Sequence, residues 1–384
     1  MNNIDEVLTR GVEMILPSKD GLKSLMEKGK IKLYQGFDPS MPSLHLGNFV
    51  GLMKLRQFQK LGHEVIFLVG DFTGMIGDPT DKASARKQLT REDVLKNCES
   101  WKAQAGKILD FEGDNPAKIL FNSEWSDKVN FKDLIEITSN FTVQQMVERD
   151  MFQERIKNKK PIYLHEFLYP VAQGYDSVVM DVDLEIGGSD QMFNMMAGRD
   201  LMKSMKGKEK YVLGTKLLVD KDGNKVGKTT GNALFLDSTP ESFYAGIMSF
   251  PDEVLLLSFE LLTELPMVGI EEKIGNDPMK AKKELAFEII KFLWGEEAAV
   301  KGQNYFQKTF QDKMPSFDIR VTSGGSIAST IAPFTSNSSM SEAKRLIAQG
   351  AVDINGLTVK DHSTIVNKGD NIKVGKTTFL KATK

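Results

Sequence analysis

Two short stretches carry side chains suited to anion chemistry. Asp38-Pro39-Ser40-Met41-Pro42-Ser43-Leu44-His45-Leu46-Gly47-Asn48 joins a strand-like run to a helix-like one. A helix N-terminus offers unpaired N–H groups and the positive end of a dipole to a phosphate. His45 in the first turn could donate to a phosphate oxygen, and Gly47 would let a flat base approach the backbone closely. Lys225-Val226-Gly227-Lys228-Thr229 sets two lysines three apart on a glycine hinge and ends in a hydroxyl, which suits a mobile phosphate clamp. Each stretch has a plainer alternative, a surface histidine at an ordinary helix start and a solvated basic turn. Two other phosphate motifs are excluded. A P-loop needs glycine five residues before Gly-Lys-Thr, where this chain has Asp222 and Asp370. Gly70-x-x-x-Gly74-x-x-Gly77 likewise misses the dinucleotide fingerprint.

The elements that must position these residues alternate between strand-like and helix-like, the pattern of an α/β fold with a parallel sheet. Lys32-Leu33-Tyr34-Gln35 reads as a short strand closed by the turn-rich Gly36-Phe37-Asp38-Pro39-Ser40, and Leu44 to Leu61 as a helix with Gly62 at its C-cap. Glu64 to Val69 is a buried-strand run, a helix opens near Thr90, and a short strand lies at Lys118–Phe121. Phe141–Lys157, Tyr163–Val179 and Asp190–Lys203 read as helices, and Leu184-Glu185-Ile186 as a strand leading into Gly187-Gly188-Ser189. Met1 to Lys30 mixes charges throughout and reads as a helix, not a signal peptide. From Pro240 to about Phe310 the chain is helix-rich; 315–340, with many Ser, Thr and Gly, reads as a linker.

Composition bounds the possibilities. The 384 residues, 41% hydrophobic and 27% charged, suit two or three globular domains. A single cysteine, Cys98, excludes a disulfide scaffold or a Cys-based zinc cluster and suggests a reducing compartment. The four histidines form no His-x-x-x-His pair, so no built-in metal site is expected. No apolar run approaches the ~18–20 residues that span a membrane. The net charge of −2 argues against nucleic acid until it is divided. Residues 341–384 hold eight basic and four acidic side chains, so a basic tail follows an acidic body. That split fits a local anionic partner, and equally a solvated terminal domain.

Taken in order, the motifs resemble the class I aminoacyl-tRNA synthetases, and within them the bacterial-type tyrosyl family. The resemblance rests on Tyr34-Gln35-Gly36-Phe37-Asp38-Pro39, His45-Leu46-Gly47-Asn48, Gly77-Asp78-Pro79, Tyr169-Pro170-x-x-Gln173-x-x-Asp176, Gly187-Gly188-Ser189-Asp190-Gln191 and Lys225-Val226-Gly227-Lys228-Thr229. It implies an α/β Rossmann-like nucleotide-binding domain with a parallel sheet over 1–238, holding an inserted helical dimerisation segment at about 122–162. A helical tRNA-contacting domain (239–314), the linker and a small α+β RNA-binding module (341–384) with Lys344 and Arg345 would follow.

The same resemblance implies a two-step reaction. Tyrosine and ATP give tyrosyl-adenylate and pyrophosphate; the tyrosyl group then passes to the 3′ end of tRNA(Tyr). Neither step needs a protein nucleophile, so catalysis rests on positioning and placed charge. By residue, His45, Lys82, Arg86, Lys225 and Lys228 would contact the phosphates with Thr229 assisting, and Asn48 would offer an amide toward the ribose. Tyr34 and Asp176 would bond the substrate phenol. Asp78, Tyr169 and Gln173 would receive its ammonium group, with Thr73 on that side and Gln191 near its carboxylate. Gly36, Asp38, Ser40, Gly47, Gly188 and Asp190 would border ATP, Asp190 accepting from the ribose. Mg2+ would accompany ATP without a protein site of its own, and the implied assembly is a cytoplasmic homodimer with no membrane partner.

The chain departs from the family pattern at four places: Asn48 replaces a usual second histidine, Gln35 a frequent cysteine, Met192-Phe193 a common Trp-Gly, and Lys-Val-Gly-Lys-Thr the ideal Lys-Met-Ser-Lys-Ser. Three other readings stay open. These are the tryptophanyl sibling, a shorter nucleotidyltransferase with a similar His-x-Gly helix start, and a synthetase-like RNA-binding protein without catalysis.

Overall fold

The computed structural model describes residues 4–80, 89–226, 234–312, 317, 319–335, 339–375 and 378–383. It divides into two compact units, Met1–Leu218 with Glu260–Leu262, and Val219–Phe259 with Thr263–Lys384.

The first unit is built on a six-stranded sheet. Its strands are β1 (Val12–Leu16), β2 (Lys32–Phe37), β3 (Glu64–Val69), β4 (Lys118–Phe121), β5 (Leu184–Gly188) and β6 (Tyr211–Thr215), in the order β1-β6-β5-β2-β3-β4. All neighbours pair parallel except β1, which runs antiparallel along β6. Strands covered on both faces must be apolar throughout, and five of the six residues of β3 are buried. The helix Leu46–Lys60 returns the chain from β2 to β3 and buries Leu46, Phe49, Leu52, Leu55 and Phe58. The sheet grows one way from β2 to β3 and the other way to β5. The carboxyl ends of β2 and β5 therefore flank the switch point, where such sheets bind ligands.

The second unit carries the helices Pro240–Met248, Pro278–Trp294 and Glu296–Phe306; Thr239 and Asp277 cap the first two, each followed by proline at the first helical position. It also holds a five-stranded sheet ordered β7-β11-β10-β8-β9, made of β7 (Ile319–Val321), β8 (Val352–Ile354), β9 (Leu357–Thr358), β10 (Asn371–Val374) and β11 (Thr378–Ala382).

Three expectations need correction. The first thirty residues are not one helix: Val12–Leu16 forms β1, whose backbone groups complete the β6 edge, and the helix Lys19–Lys28 starts at the Ser18 cap. Phe141–Lys157 is two helices, Val143–Val147 and Asp150–Lys157, because Arg149 takes an extended conformation between them. The stretch 315–340 is no mere linker. Its β7 pairs parallel with β11, and Ile327, Ala328 and Ile331 are buried with Ala343, Ile347, Val352 and Leu380. Sparse apolar residues hid this, since a three-residue strand and a one-turn helix carry too few positions to show a period.

Candidate active site

The carboxyl end of β2 runs into Asp38, whose carboxylate is held from two sides. Thr73 Oγ1 donates to Oδ1 at 2.7 Å and Tyr169 Oη donates to Oδ2 at 2.8 Å. Gly70 makes this possible, because a Cβ there would collide with both the Asp38 carboxylate and the Thr73 hydroxyl. Asn122, fully buried at the end of β4, extends the chain of bonds. Its Nδ2 donates to Thr73 Oγ1 at 3.1 Å and to Asp176 Oδ2 at 3.2 Å, while its Oδ1 accepts the Phe72 N–H. Trp125 Nε1 donates to the other Asp176 oxygen at 2.8 Å. Tyr34, on β2, is fully buried, and its hydroxyl lies 2.9 Å from Ser177 Oγ and 3.5 Å from the Gln173 carbonyl.

Burial dominates the electrostatics here. It pushes the Asp176 carboxyl well above the usual carboxylate range; the Trp125 and Asn122 donors oppose this, and the negative Glu185 and Asp38 add to it. Burial, then the charges of Glu185 and Asp176, push the Tyr34 phenol well above its ordinary value, so it stays a neutral hydroxyl.

A second cluster surrounds Asp78. Thr80 gives its N–H and hydroxyl to Oδ1 at 3.0 and 2.6 Å, and Gln191 Nε2 donates to Oδ2 at 2.9 Å. Asn194 Nδ2 in turn donates to Gln191 Oε1 at 2.8 Å. Arg149 reaches the same cluster: Nη2 donates to Thr80 Oγ1 at 2.8 Å, and the guanidinium lies 4.7 Å from the Phe193 ring centroid. The departure at Phe193 thus has a physical role as the aromatic face under Arg149.

His45 is the N-cap of Leu46–Lys60, not a residue within its first turn. Nδ1 accepts the Asn48 N–H at 3.3 Å, and Asn48 Oδ1 accepts the His45 N–H at 2.9 Å. This reciprocal cap assigns the imidazole tautomer: Nδ1 accepts, so Nε2 carries the proton of the neutral ring. A Cβ at Gly47 would lie 2.9 Å from Cε1 of His45, so this glycine seats the imidazole rather than only opening the backbone to a base. Gly36 has open space above it, with the nearest atom to an added Cβ at 3.9 Å. At Gly188 a Cβ would sit 2.5 Å from an Asp190 carboxylate oxygen and 2.8 Å from Leu217. Ser40 closes a tight turn, its N–H donating to the Asp38 carbonyl at 2.7 Å.

The structure therefore links Asp38, Thr73, Tyr169 and Asp176 through Asn122, sets Tyr34 against Gln173 and Ser177, and joins Asp78 with Gln191. Lys82, Arg86, Lys228 and Thr229 lie outside the described residues. Lys225 belongs to the second unit, where it bridges to Val219. Lys344 and Arg345 are exposed on the helix Met340–Ala348, and Arg345 is forked onto Glu342 at 2.5 and 2.9 Å. Motif reading missed Asn122, Trp125, Ser177, Glu185 and Lys210. The available signal was polar residues in otherwise apolar runs, Glu185 in β5 above all.

Comparison with known proteins shows the family. The family model of the class I tRNA synthetases (W and Y) matches residues 26–311, and that of the S4 domain residues 336–372. A tyrosine–tRNA ligase of Haemophilus influenzae is 42% identical over 99% of this chain and 97% of its own length. That of Mannheimia succiniciproducens is 41% identical over 100% of both. The fold is similar to a C-terminally truncated mitochondrial tyrosyl-tRNA synthetase of Aspergillus nidulans, with a TM-score of 0.70 and 22% identity, covering 80% of this chain and 94% of that one. With a family model spanning most of its length and relatives matched end to end, this chain belongs to the class I tRNA synthetases of the tryptophan and tyrosine branch and carries an S4 domain.

Proposed function

We propose that this chain is a tyrosine–tRNA ligase: it activates tyrosine with ATP to tyrosyl-adenylate and pyrophosphate, then transfers the tyrosyl group to the 3′ end of tRNA(Tyr). The observation that carries the reading is that Tyr34 and Asp176 are both buried and that the Tyr34 hydroxyl meets Ser177, the residue next to Asp176, at 2.9 Å. Tyr34 holds Ser177, and Asp176 holds Trp125 and Asn122; a substrate phenol adds one further polar partner to each, which phenylalanine cannot supply. Asp78, Tyr169 and Gln173 receive the ammonium group, and Gln191 stands by the carboxylate.

The tyrosine carboxylate oxygen attacks the α-phosphorus of ATP, and the bond to the bridging oxygen breaks as pyrophosphate leaves with its electron pair. Nε2–H of His45 donates to the phosphoryl oxygens as their charge rises. Lys82, Arg86, Lys225, Lys228 and Thr229 complete the phosphate contacts. Mg2+ would accompany ATP and supply charge to its phosphates; among the described residues no group of three His, Cys, Asp or Glu side chains is placed to hold it.

The exposed apolar side chains Phe131 (78% exposed), Val143 (73%) and Leu164 (80%) suit coverage by a second copy, giving a homodimer. No helix among the described residues is long and apolar enough to cross a membrane. The S4 domain is the basic module that meets tRNA, and the site of action is the cytoplasm.

Pyrophosphate exchange run over all the amino acids tests the reading. Exchange with tyrosine alone is expected; exchange with tryptophan instead would assign the chain to the sibling activity. Removing the chain from residue 317 onward should leave tyrosine-dependent exchange intact and impair tRNA charging at physiological salt.

A further inference from the structure

Beneath Tyr34 lies a buried polar group that none of the motifs include. Lys210, just before β6, has a side chain with no solvent exposure, and its ammonium pairs with the carboxylate of Glu185 on β5. The same Nζ donates to Ser177 Oγ at 2.8 Å and lies 6.0 Å from the Tyr34 ring centroid. The other Glu185 oxygen accepts Nε2 of Gln173 at 2.9 Å. Gly198 leaves room for the cluster, since a Cβ there would collide with the Lys210 ammonium and approach Ser177 Oγ to 2.8 Å.

The donor and acceptor counts give this cluster a direction. An ammonium can only donate, so Ser177 Oγ accepts from Lys210. Ser177 then has one proton to give. Its neighbours are the Tyr34 hydroxyl at 2.9 Å and Glu185 at 3.5 Å, and the shorter contact takes it. Tyr34 therefore accepts from Ser177, and its own O–H rests on the Gln173 carbonyl at a long 3.5 Å, a weak bond that a closer substrate oxygen displaces. A carboxylate can only accept, so Glu185 holds the Gln173 amide with Nε2 toward itself and leaves Oε1 as the outward group.

We propose that the buried Lys210–Glu185 pair sets the hydrogen-bond polarity of substrate recognition: through Ser177 it makes Tyr34 a donor to the phenol oxygen of tyrosine, and through Gln173 it presents an acceptor to the ammonium group. The inference rests on the tyrosine reading above. Asp176, both of whose oxygens accept N–H donors, takes the phenol proton. If Tyr34 instead donated to Ser177, two acceptors would face one substrate proton. Lys210, Glu185 and Ser177 are thus positioning residues for specificity.

The test compares kcat/KM for tyrosine and for phenylalanine in pyrophosphate exchange. Ser177→Ala removes the proton given to Tyr34, and the tyrosine-to-phenylalanine ratio should fall about tenfold or more through the KM for tyrosine, with phenylalanine unchanged. The double variant Glu185→Leu with Lys210→Met removes both charges together, avoiding an orphaned buried ion, and should lower the same ratio. Equal losses on both substrates, or an unchanged ratio in folded variants, would overturn the proposal. Wild-type exchange with tyrosine alone checks the underlying reading separately. If that exchange is with another amino acid, the reading itself fails; if it is with tyrosine and the ratio stays fixed, only the polarity proposal fails.

Discussion

His45 and Asn48 cap one helix reciprocally, each side chain accepting the other's backbone N–H, at 3.3 Å to Nδ1 and 2.9 Å to Oδ1. The bond to Nδ1 leaves the proton on Nε2, so one residue serves both the helix and the proposed phosphate. The two roles can be separated. Asparagine is among the best N-cap residues, so His45→Asn should hold the thermal midpoint while losing the longer-reaching donor. Adenylation in single turnover should fall ~10²-fold, the order found for removing one transition-state donor. His45→Ala should lose the same rate and also about 1 kcal/mol of stability. Equal adenylation rates in His45→Asn and wild type would remove His45 from the phosphate chemistry.

Gly47→Ala tests the seating of the same ring. Alanine favours a helix over glycine by about 1 kcal/mol, which offsets the cap lost when the His45 ring moves, so stability should hold. The new Cβ would lie 2.9 Å from Cε1 of His45, which displaces the imidazole. Adenylation should therefore drop at least tenfold in a protein as stable as wild type. A rate equal to wild type would mean that the ring needs no such seat.

Lys54 predicts a pH dependence of stability. It is buried on the helix Leu46–Lys60, and its ammonium donates to the carbonyls of Val7 and Arg10 at 2.9 and 2.7 Å and to Gln57 Oε1 at 2.6 Å. Burial, then the charge of Arg10, lowers its pKa from 10.5 to about 7, against the opposing pull of Glu260 and Glu6. From pH 7 to 10.5 the unfolded chain binds more protons at this site than the folded one, so stability rises with pH over that window. In Lys54→Met this contribution disappears. Urea unfolding at pH 7 and at ~9.5 should show wild type gaining on the variant as pH rises; a constant difference between them would exclude Lys54 as the source.

The boundary of the last module is testable with fragments. The piece 341–384 lacks β7 and the buried Ile327, Ala328 and Ile331, so it should remain unfolded. A piece 317–384 regains the strand beside β11 and the Phe317–Phe379 edge contact at 5.6 Å. It should give dispersed amide signals by NMR. A folded 341–384 would show that β7 is dispensable.

The sequence by itself determined the parallel-sheet architecture and most of the candidate centre. Buried parallel strands such as Glu64–Val69 must be apolar along their length, and Leu46–Lys60 declares itself by period and cap. Tyr34, Asp38, Asp78, Tyr169, Gln173, Asp176 and Gln191 were nameable only because the motifs that hold them resemble a known family. Only the tertiary structure decided what those side chains hold. Asn122 and Trp125 come from the end of β4 to fasten Asp176, Arg149 crosses to Thr80, and Lys210 and Glu185 meet from adjacent strands. These partners are 51 to 69 residues apart in the chain for the Asp176 and Thr80 contacts and 25 for the ion pair. Local patterning says which face a residue takes, but not which distant side chain meets it. The same limit hid β1 and β7, short strands that exist because an edge elsewhere in the fold supplies their hydrogen-bond partners.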